Sequence, residues 1–269
     1  MGQKHYGTWA LVAGAAEGLG EAFSRLLAGG GMNLVMVDFN RLSMEKLAAS
    51  LRAGDGVSIQ TLELDLSAPD AWQRCMEKVA EYDCRLLVYN AAFSHVTGFL
   101  SHSHEDLDRF VSVNARTEIH LVHAFAERLR GEKKPGGILL MSSLSGVVAP
   151  PLVAPYAATK GFTNKLAESL HAEFRPLGIR ISACTAGITS TPKFWESRPV
   201  FGFFRPAIME GPAVASFALR NLGRRAVITP GWQNRLSYFL LTRLLPAPLS
   251  LKIVSEAMRK MYPLGSAGQ

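Results

Sequence analysis

The sequence contains little cysteine, and its cysteines stand far apart. Cys75, Cys84 and Cys184 form no CxxC pair, and no histidine lies at metal-ligand spacing from any of them. This excludes a disulfide-stapled scaffold and a cysteine-based zinc site. Unpaired cysteines of this kind are typical of buried free thiols in a reducing compartment, so we expect a cytoplasmic protein.

Long apolar runs are also missing. No run approaches the ~18 residues that cross a bilayer. The apolar stretch near the N-terminus is too short for a secretory signal and is better read as a buried strand. His102 and His104 flank a loop, His120 and His123 are three positions apart on a predicted helix, and we find no carboxylate or cysteine that completes either pair. We therefore expect no metal ion at the histidines His95, His102, His104, His120, His123 and His171.

Acidic residues are scarce in the last quarter of the chain. From Arg205 onward nine Lys or Arg accompany two Glu, whereas the first 204 residues are balanced, so this segment accounts for the net charge of +7. Such a segment favours acidic substrates, anionic lipid or nucleic acid as partners, or it forms a solvated face. No nucleic-acid-binding module accompanies it, and we expect no nucleic-acid partner.

Apolar runs and helical stretches alternate along the chain. Seven runs rich in Val, Ile and Leu read as strands: TWALVAG, MNLVMVD, VSIQTLELD, RLLVYNA, GGILLMSS, IRISACTAG and RAVITP. Strands that are apolar throughout are typical of a parallel sheet covered on both faces. We predict a single-domain α/β Rossmann fold over residues 1–230, with a doubly wound seven-stranded parallel sheet flanked by helices. A C-terminal helical extension of the same domain follows over 231–269.

Three glycines follow the first strand, in the segment AGAAEGLG at residues 13–20. A backbone that approaches a pyrophosphate closely has no room for Cβ atoms, and a helix N-terminus offers free N–H groups to an anion. The spacing is neither GxGxxG nor that of a P-loop, so a plain glycine-rich turn is the alternative. Candidate cofactor-binding residues here are Gly14, Ala16, Glu17, Gly18, Leu19 and Gly20.

An acidic residue ends the second strand. Asp38 is expected at the carboxyl edge of the sheet, where a carboxylate accepts hydrogen bonds from both ribose hydroxyls and repels a 2′-phosphate. Glu17 adds a second negative charge. Both residues favour NAD(H), whereas Arg41 nearby softens that preference and keeps NADP(H) open. A turn-forming acid without a ligand is the alternative for Asp38.

The segment YAATK places Tyr156 and Lys160 four residues apart, on one face of a helix. An ammonium beside a phenol favours the phenolate, so we expect a lowered pKa for Tyr156 and a general acid or base suited to a carbonyl or alcohol. Ser143 closes the fifth strand. Asn114 lies inside a continuous helix predicted over residues 105–131, where an asparagine without a capping role is unfavourable and calls for a reason.

Residues 8–192 as a whole resemble the short-chain dehydrogenase/reductases, through AGAAEGLG, Asp65-Leu66, YNAA, Asn114, the Ser143–Tyr156–Lys160 set and AGITST. The resemblance implies that Tyr156 moves the proton. It implies that Lys160 binds the nicotinamide ribose and lowers the tyrosine pKa, that Ser143 hydrogen-bonds the substrate oxygen, and that Asn114 holds a water.

The same resemblance implies further cofactor contacts. Asp65 and Leu66 would border the adenine, and Asn90 and Ala91 would line the cofactor. The nicotinamide carboxamide would be held by Ile188 and Thr191, next to Gly187. Three small departures from the family pattern, Ala13, Ala92 and Ala186, each imply a loss of rigidity of about 1 kcal/mol.

An aromatic segment, about residues 192–210, follows the sixth strand, and in the family this region lies over the substrate. We therefore expect an apolar or lipid-like substrate that contacts Phe194, Trp195, Phe201, Phe203 and Phe204. Two amphipathic helices, broken at Pro246 and Pro248, close the sequence. Their apolar faces are Trp232, Leu236, Phe239, Leu240 and Leu244, then Ile253, Val254, Ala257 and Met261.

Three roles remain open for these helices: a subunit interface, a lid over the active site, or a membrane-surface contact favoured by flanking Arg and Lys. We expect a homodimer or homotetramer, with peripheral membrane contact through the basic helices.

The sequence thus predicts an oxidoreductase that transfers a hydride between a nicotinamide cofactor, preferably NAD(H), and an alcohol or ketone, with Tyr156 as general acid/base. A faint further likeness to the 3-ketoacyl-CoA reductase and 17-beta-hydroxysteroid dehydrogenase branch, in YGTWALVAGA and YNAA, implies a hydroxysteroid or 3-oxoacyl thioester. The alternative is a cofactor-bound sensor or membrane-docked scaffold that uses the fold without catalysis.

Overall fold

The computed structural model, which describes residues 3–202 and 206–263, contains a seven-stranded sheet in which every neighbouring pair of strands is parallel. The strands are β1 (Trp9–Ala13), β2 (Asn33–Asp38), β3 (Ile59–Glu63), β4 (Cys84–Tyr89), β5 (Gly136–Ser143), β6 (Ile179–Ala186), β7 (Thr189–Ser190), β8 (Met209–Glu210) and β9 (Val227–Ile228). The order in the sheet is β3-β2-β1-β4-β5-β6-β9, and β7 pairs separately with β8. This confirms the predicted doubly wound sheet.

Helices connect these strands and extend the chain beyond the last of them. They are α1 (Gln3–Tyr6), α2 (Gly18–Gly29), α3 (Arg41–Asp55), α4 (Ala71–Val79), α5 (His104–Val111), α6 (Thr117–Gly131), α7 (Ala154–Phe174), α8 (Pro192–Glu196), α9 (Gly211–Asn221), α10 (Trp232–Phe239) and α11 (Ala247–Met261). Segments of π-helix occupy Ser112–Arg116 and Leu240–Leu244. Short 3-10 turns occupy Phe99–Ser101, Leu144–Gly146 and Arg175–Leu177.

Both faces of the sheet are covered. Phe23, Met44 and Val214, from α2, α3 and α9, pack on one face, and residues of α4, α6 and α7 such as Phe125 pack on the other. This two-sided burial explains why the strands carry apolar residues at consecutive positions. The three cysteines are free and buried, as expected, and burial raises the pKa of each thiol to about 12.

The direction of strand addition reverses at β1, whose neighbours are β2 and β4. Ala13, at the end of β1, pairs with Val37 on one side and Tyr89 on the other. The carboxyl ends of the three strands therefore lie together at one edge of the sheet. In doubly wound sheets this switch point is where ligands bind.

The C-terminal helices fold back toward the aromatic segment. The predicted break is confirmed, because the π-helical end of α10 stops at Leu244 and α11 begins at Ala247 with Pro248 in its first turn. Tyr262 shares a hydrogen bond of 2.7 Å with Ser197, which follows α8. No helix in residues 3–202 and 206–263 is both long and apolar enough to cross a membrane.

Candidate active site

The turn between β1 and α2 leaves no room for side chains at its glycines. A Cβ on Gly20 would lie 1.8 Å from the carbonyl oxygen of Gly14. One on Gly14, whose φ is +76°, would lie 2.6 Å from Cα of Ala91. Gly18, at φ +57°, begins α2 beside Thr191. The backbone thus faces a cleft at the N-terminus of α2, which is the arrangement that a dinucleotide pyrophosphate requires.

Neighbouring side chains hold this turn. The amide nitrogen of Asn90 donates to the carbonyl oxygen of Gly14 at 2.8 Å, and the hydroxyl of Ser24 donates to that of Gly20 at 2.9 Å. The backbone N–H of Ala16 donates to Oδ2 of Asp38 at 2.9 Å. These three bonds support the turn although Ala13 offers it no side-chain hydrogen bond.

Two carboxylates line the cleft beside the glycine turn. Asp38 is buried, and burial raises the pKa of its carboxyl, opposed by hydrogen bonds from the backbone of Asn40 and Ala16. Glu17 accepts from the side chains of Asn40 at 2.8 Å and Ser43 at 2.7 Å. Arg41 lies 3.7 Å from Glu63 and does not line the cleft.

Ser143, Tyr156 and Lys160 share one wall of the same cleft. Ser143 ends β5, and the turn after it packs tightly on α7, because a Cβ on Gly146 would lie 2.5 Å from the carbonyl carbon of Lys160. The ammonium of Lys160 is buried, donates to the carbonyl oxygen of Met141 at 2.7 Å, and lies 5.7 Å from the ring centroid of Tyr156. A hydroxyl, a phenol and an ammonium are thereby fixed beside the glycine turn.

The expected lowering of the Tyr156 pKa is wrong for this chain by itself. Burial raises the pKa of the phenol, and the hydrogen bond with Ser143 opposes the rise. Lys160 is itself desolvated, which lowers the pKa of its ammonium. The sequence-based prediction included the charge of Lys160, which favours the phenolate. It did not include the free-energy cost of burying both groups, which disfavours their charged forms.

Asn114 lies at the centre of the π-helical segment between α5 and α6, within the long helix that was predicted as continuous. Its side chain accepts from the backbone N–H of Phe93 at 2.7 Å and donates to the carbonyl oxygen of Phe93 at 2.9 Å and to the hydroxyl of Thr159 at 3.1 Å. Asn114 therefore lies behind the cleft and anchors the segment after β4. Interruptions of this kind are frequent at functional sites.

Glu118, one turn further along, was missed by the sequence reasoning. Its carboxylate is fully buried and accepts from the hydroxyl of Thr163 at 3.0 Å, while Oε1 has no hydrogen-bond partner in the described structure. Burial raises the pKa of Glu118 to about 7, and the charge of Lys160 opposes the rise. Helical spacing marks position 118 as a buried one, but nothing local in the sequence pairs it with Lys160.

The cleft has a volume of about 1730 Å³, larger than the 300–1,000 Å³ typical of one small ligand. Most of the predicted cofactor residues line it, namely Gly14, Glu17, Gly18, Leu19, Asp38, Asp65, Leu66, Asn90, Ala91, Tyr156, Lys160, Gly187, Ile188 and Thr191. Ala16 and Gly20 shape the turn from behind. The residues present thus fit a dinucleotide with space left over for a substrate.

The aromatic segment contributes less than predicted. Phe194 lines the cleft, whereas Trp195 and Phe201 lie outside it. Trp195 packs edge-on against Phe194 with ring centroids 5.0 Å apart and donates its indole N–H to Ser190 at 3.2 Å. The predicted contacts Phe203 and Phe204 fall outside the described residues.

Two segments not assigned to the substrate line the rest of the cleft. One is the stretch after β4, with Phe93, and the other is the C-terminal pair of helices. The helices contribute Tyr238, Leu241, Thr242, Val254, Ala257, Met258, Met261 and Tyr262. Val254, Ala257 and Met261 belong to the second apolar face predicted from the sequence and do face the cleft. The first predicted face does not: Trp232, Leu236 and Phe239 are exposed, and α10 turns Tyr238 toward the cleft instead.

A glycine turn at the switch point of a parallel sheet, with Ser, Tyr and Lys on the adjoining wall, defines a nucleotide-binding oxidoreductase with a Rossmann-type fold. The family model for short chain dehydrogenases matches residues 8–200, and the chain belongs to this family.

Individual relatives and structures agree with the assignment. The 7beta-hydroxysteroid dehydrogenase of Clostridium sardiniense is 28% identical over 233 residues, 87% of this chain and 89% of that protein. The very-long-chain 3-oxoacyl-CoA reductase of Neurospora crassa is 30% identical over 190 residues, 69% of this chain and 57% of that protein.

Among solved structures, one described for 7beta-hydroxysteroid dehydrogenase stereoselectivity superposes with a TM-score of 0.86 at 24% identity, covering 94% of this chain and 98% of that one. A short-chain dehydrogenase from Sphingobium yanoikuyae in complex with NADPH gives a TM-score of 0.74 at 26% identity, covering 82% and 86%.

Proposed function

We propose that the protein is an NAD(H)-dependent alcohol dehydrogenase or ketone reductase. The observation that carries the proposal is the position of Ser143, Tyr156 and Lys160 on one wall of a cleft whose other end is the glycine turn. A bound nicotinamide would supply or accept the hydride. Tyr156 gives a proton to the substrate oxygen in reduction and takes it back in oxidation, while Ser143 orients that oxygen.

Lys160 has the role of a fixed positive charge beside this proton transfer. Burial lowers the pKa of the Lys160 ammonium, and the negative charge of Glu118 raises it. The charge of Lys160 therefore depends on Glu118. Asn114 holds the backbone of Phe93 in place and thereby shapes a part of the cleft lining. No observation favours the alternative of a non-catalytic sensor or scaffold.

The experiment is a panel of hydroxysteroids, 3-oxoacyl thioesters and bulky ketones, followed by nicotinamide absorbance. Replacing Tyr156 with Phe removes the proton donor at nearly constant volume and should lower kcat by about 10²–10⁴-fold. The variant should still bind NADH, measured by fluorescence, which separates lost chemistry from lost folding. Normal turnover in the variant would overturn the role of Tyr156.

The proposed preference for NAD(H) rests on Asp38 and Glu17, which we place beside the cofactor ribose. In addition, Arg41, which could otherwise attract a 2′-phosphate, lies 3.7 Å from the carboxylate of Glu63. A 2′-phosphate would have to approach two carboxylates, at a cost in affinity. Titration should give tighter binding of NADH than of NADPH, and Asp38→Asn should narrow the gap. Tighter binding of NADPH by the unaltered protein would contradict this proposal.

An apolar, lipid-like substrate suits the walls of the cleft beyond the nicotinamide end. Phe93, Phe194, Leu241 and Met258 offer apolar surface there. Relatives named for hydroxysteroids and for 3-oxoacyl-CoA point to the same class of substrate. Saturation at low concentration by a hydroxysteroid or long-chain 3-oxoacyl thioester, compared with acetone-sized ketones, tests this point.

Peripheral membrane contact through the C-terminal helices is a further proposal. Trp232, Leu236 and Phe239 project outward from α10 and are 66%, 47% and 54% exposed. Arg235 and Arg243 occupy the same helical face, and residues 232–245 contain no acidic side chain. An apolar stripe flanked by cations fits an anionic lipid surface. If the same face of two protein copies packed together, their arginines would repel each other.

Co-sedimentation with vesicles tests this contact. Binding should require anionic lipid and should weaken in the double variant Trp232→Ser, Phe239→Ser. Equal binding of the double variant would exclude docking through this face. Light scattering of both proteins measures the oligomer, which we propose to be a homodimer or homotetramer in the cytoplasm. Dissociation of the double variant would instead assign the face to subunit contact.

A further inference from the structure

Three potential metal ligands converge beside the cleft. His95 and His102 lie in the irregular segment between β4 and α5, and Asp106 lies in the first turn of α5. One ligand atom from each residue lies within 4.8 Å of the others. Positions seven and four apart share a face of a continuous helix, but His95 and His102 lie outside the helices, so this convergence is produced by the fold of the segment before α5.

His102 has a polar side chain without a hydrogen-bond partner. Both of its ring nitrogens are buried, and neither meets a partner in the described structure. The ring packs edge-on against Phe110 with centroids 5.3 Å apart and lies nearly parallel to His95 at 6.4 Å. A buried imidazole nitrogen that lacks a partner is costly, and such a group calls for a water or an ion.

The carboxylate of Asp106 is held in place. In a capping box at the start of α5, its Oδ2 accepts from the backbone N–H of Ser103 at 3.4 Å, and its own N–H donates to the Ser103 hydroxyl at 3.0 Å. This arrangement leaves Oδ1 for another partner. Outer contacts that orient a ligand group are a regular feature of metal sites.

We propose that His95, His102 and Asp106 form a binding site for a first-row divalent transition-metal ion such as Zn²⁺. Two imidazoles and one carboxylate suit zinc, cobalt or nickel, whereas magnesium and calcium prefer oxygen ligands throughout. Metal–ligand distances of about 2.0–2.2 Å bring ligand atoms to roughly 3.3 Å from one another. His95 is exposed at the cleft and its ring packs on that of Phe93 with centroids 4.6 Å apart, so coordination requires a side-chain shift on the order of 1 Å.

The surrounding charges moderate the affinity. Lys193 and Arg109 act on His95 and disfavour an added cation, but Arg109 lies 3.7 Å from Asp65 and Lys193 is influenced by Glu196. The ion would join the segment after β4 to the first turn of α5. The site does not depend on the proposed catalytic function.

The test uses the tag-free, full-length protein after chelator treatment and dialysis. Cobalt titration, read by visible d–d absorption, and zinc titration by calorimetry should show one ion per chain with a Kd below about 10 μM. The thermal midpoint should rise with zinc concentration, because the ion binds the folded state. His95→Ala and Asp106→Asn should each weaken binding about 100-fold or more.

His104→Ala is the matched control, since His104 is an exposed histidine that lies outside the cluster. It should bind zinc as the unaltered protein does. His95→Ala is preferred to His102→Ala because His102 packs against Phe110 and its loss would disturb the fold. Binding weaker than about 1 mM in the unaltered protein would overturn the site. Equal losses in His95→Ala and His104→Ala would overturn it as well.

Discussion

The two ends of this molecule use apolar residues in opposite ways. In the region that ends at β7, apolar side chains of the central strands are buried. The first 204 residues carry as many acidic as basic side chains. In residues 206–263, α10 and α11 expose Trp232, Leu236, Phe239, Leu244, Leu249, Leu251 and Ile253, among an excess of Arg and Lys. The first region holds the proposed catalytic groups, and the second covers the cleft with one face and exposes another.

Burial decides which substitutions each region tolerates. The proposed catalytic group Lys160 lies inside a packed interior, so small changes there alter charge and geometry together. The helices of the second region line the cleft through residues such as Tyr238 and Met258, and their outer face is exposed.

The largest effect is expected at the catalytic wall. Replacing Ser143 with Ala removes the hydroxyl that orients the substrate oxygen and should lower kcat by about 10²–10³-fold, with the Kd for NADH unchanged. Steady-state kinetics and cofactor titration measure the two quantities. Ser169→Ala, at an exposed position of α7, is the control. Comparable losses in both variants would contradict a specific role of the Ser143 hydroxyl.

A clash in the glycine turn should be the next largest. Gly20→Ala places a Cβ 1.8 Å from the carbonyl oxygen of Gly14, so the backbone must shift. We expect a loss of about 3 kcal/mol in the free energy of unfolding and weaker NADH binding. Gly29→Ala, where a Cβ meets nothing within 4 Å, should stabilise slightly. Denaturant titration distinguishes them, and an unaffected Gly20→Ala protein would contradict the tight turn.

The buried acid gives a pH-dependent prediction. Because burial raises the folded-state pKa of Glu118 to about 7, its contribution to stability is fully present below the unfolded value of about 4.5 and is lost as pH rises through about 7. The free energy of unfolding should therefore fall between about pH 5 and about pH 8 more steeply in the natural protein than in Glu118→Gln.

A second readout separates this effect from simple packing. Loss of the Glu118 charge removes an interaction that supports the ammonium of Lys160, so the pH profile of kcat should change in Glu118→Gln. Rescue of the profile by Glu118→Asp would support the charge argument. Identical profiles in all three proteins would contradict it.

The smallest effect is expected on the outer face of α10. Trp232→Ser and Phe239→Ser remove side chains that are largely exposed, so the free energy of unfolding should change by less than about 0.5 kcal/mol each. Phe125→Ala, in the buried core, should cost about 3–5 kcal/mol. A cost above about 2 kcal/mol at Trp232 would mean that this face is covered in solution.

Much of the architecture was predictable because local patterns carry it. Seven apolar runs gave seven parallel strands, although the last prediction, residues 225–230, narrowed to the two residues of β9. The long helix over 105–131 exists, but Asn114 interrupts it with a π turn that serves a contact to Phe93. That contact joins residues 21 positions apart, so helical periodicity could not predict it.

The site shows the same division. The spacing of Tyr156 and Lys160 correctly predicted that they share a helix face. The direction in which the pKa of Tyr156 shifts depends on burial, which the spacing does not reveal. Trp195 and Phe201 were expected at the substrate and lie outside the cleft, where they pack on their own segment. Asp106 lies four residues from His102 in the sequence, but its proximity to His95 is visible only in the folded structure.

By itself the sequence determined the parallel sheet, the glycine turn at its switch point, and the set Ser143, Tyr156 and Lys160 that is typical of short-chain dehydrogenases. Each of these features depends on residue types at short and fixed spacings. The tertiary structure decided which groups are desolvated, that Glu118 is buried where its charge acts on Lys160, and which face of the C-terminal helices lines the cleft. Those outcomes depend on contacts between distant segments, whose energies arise from burial and proximity that exist in the folded chain.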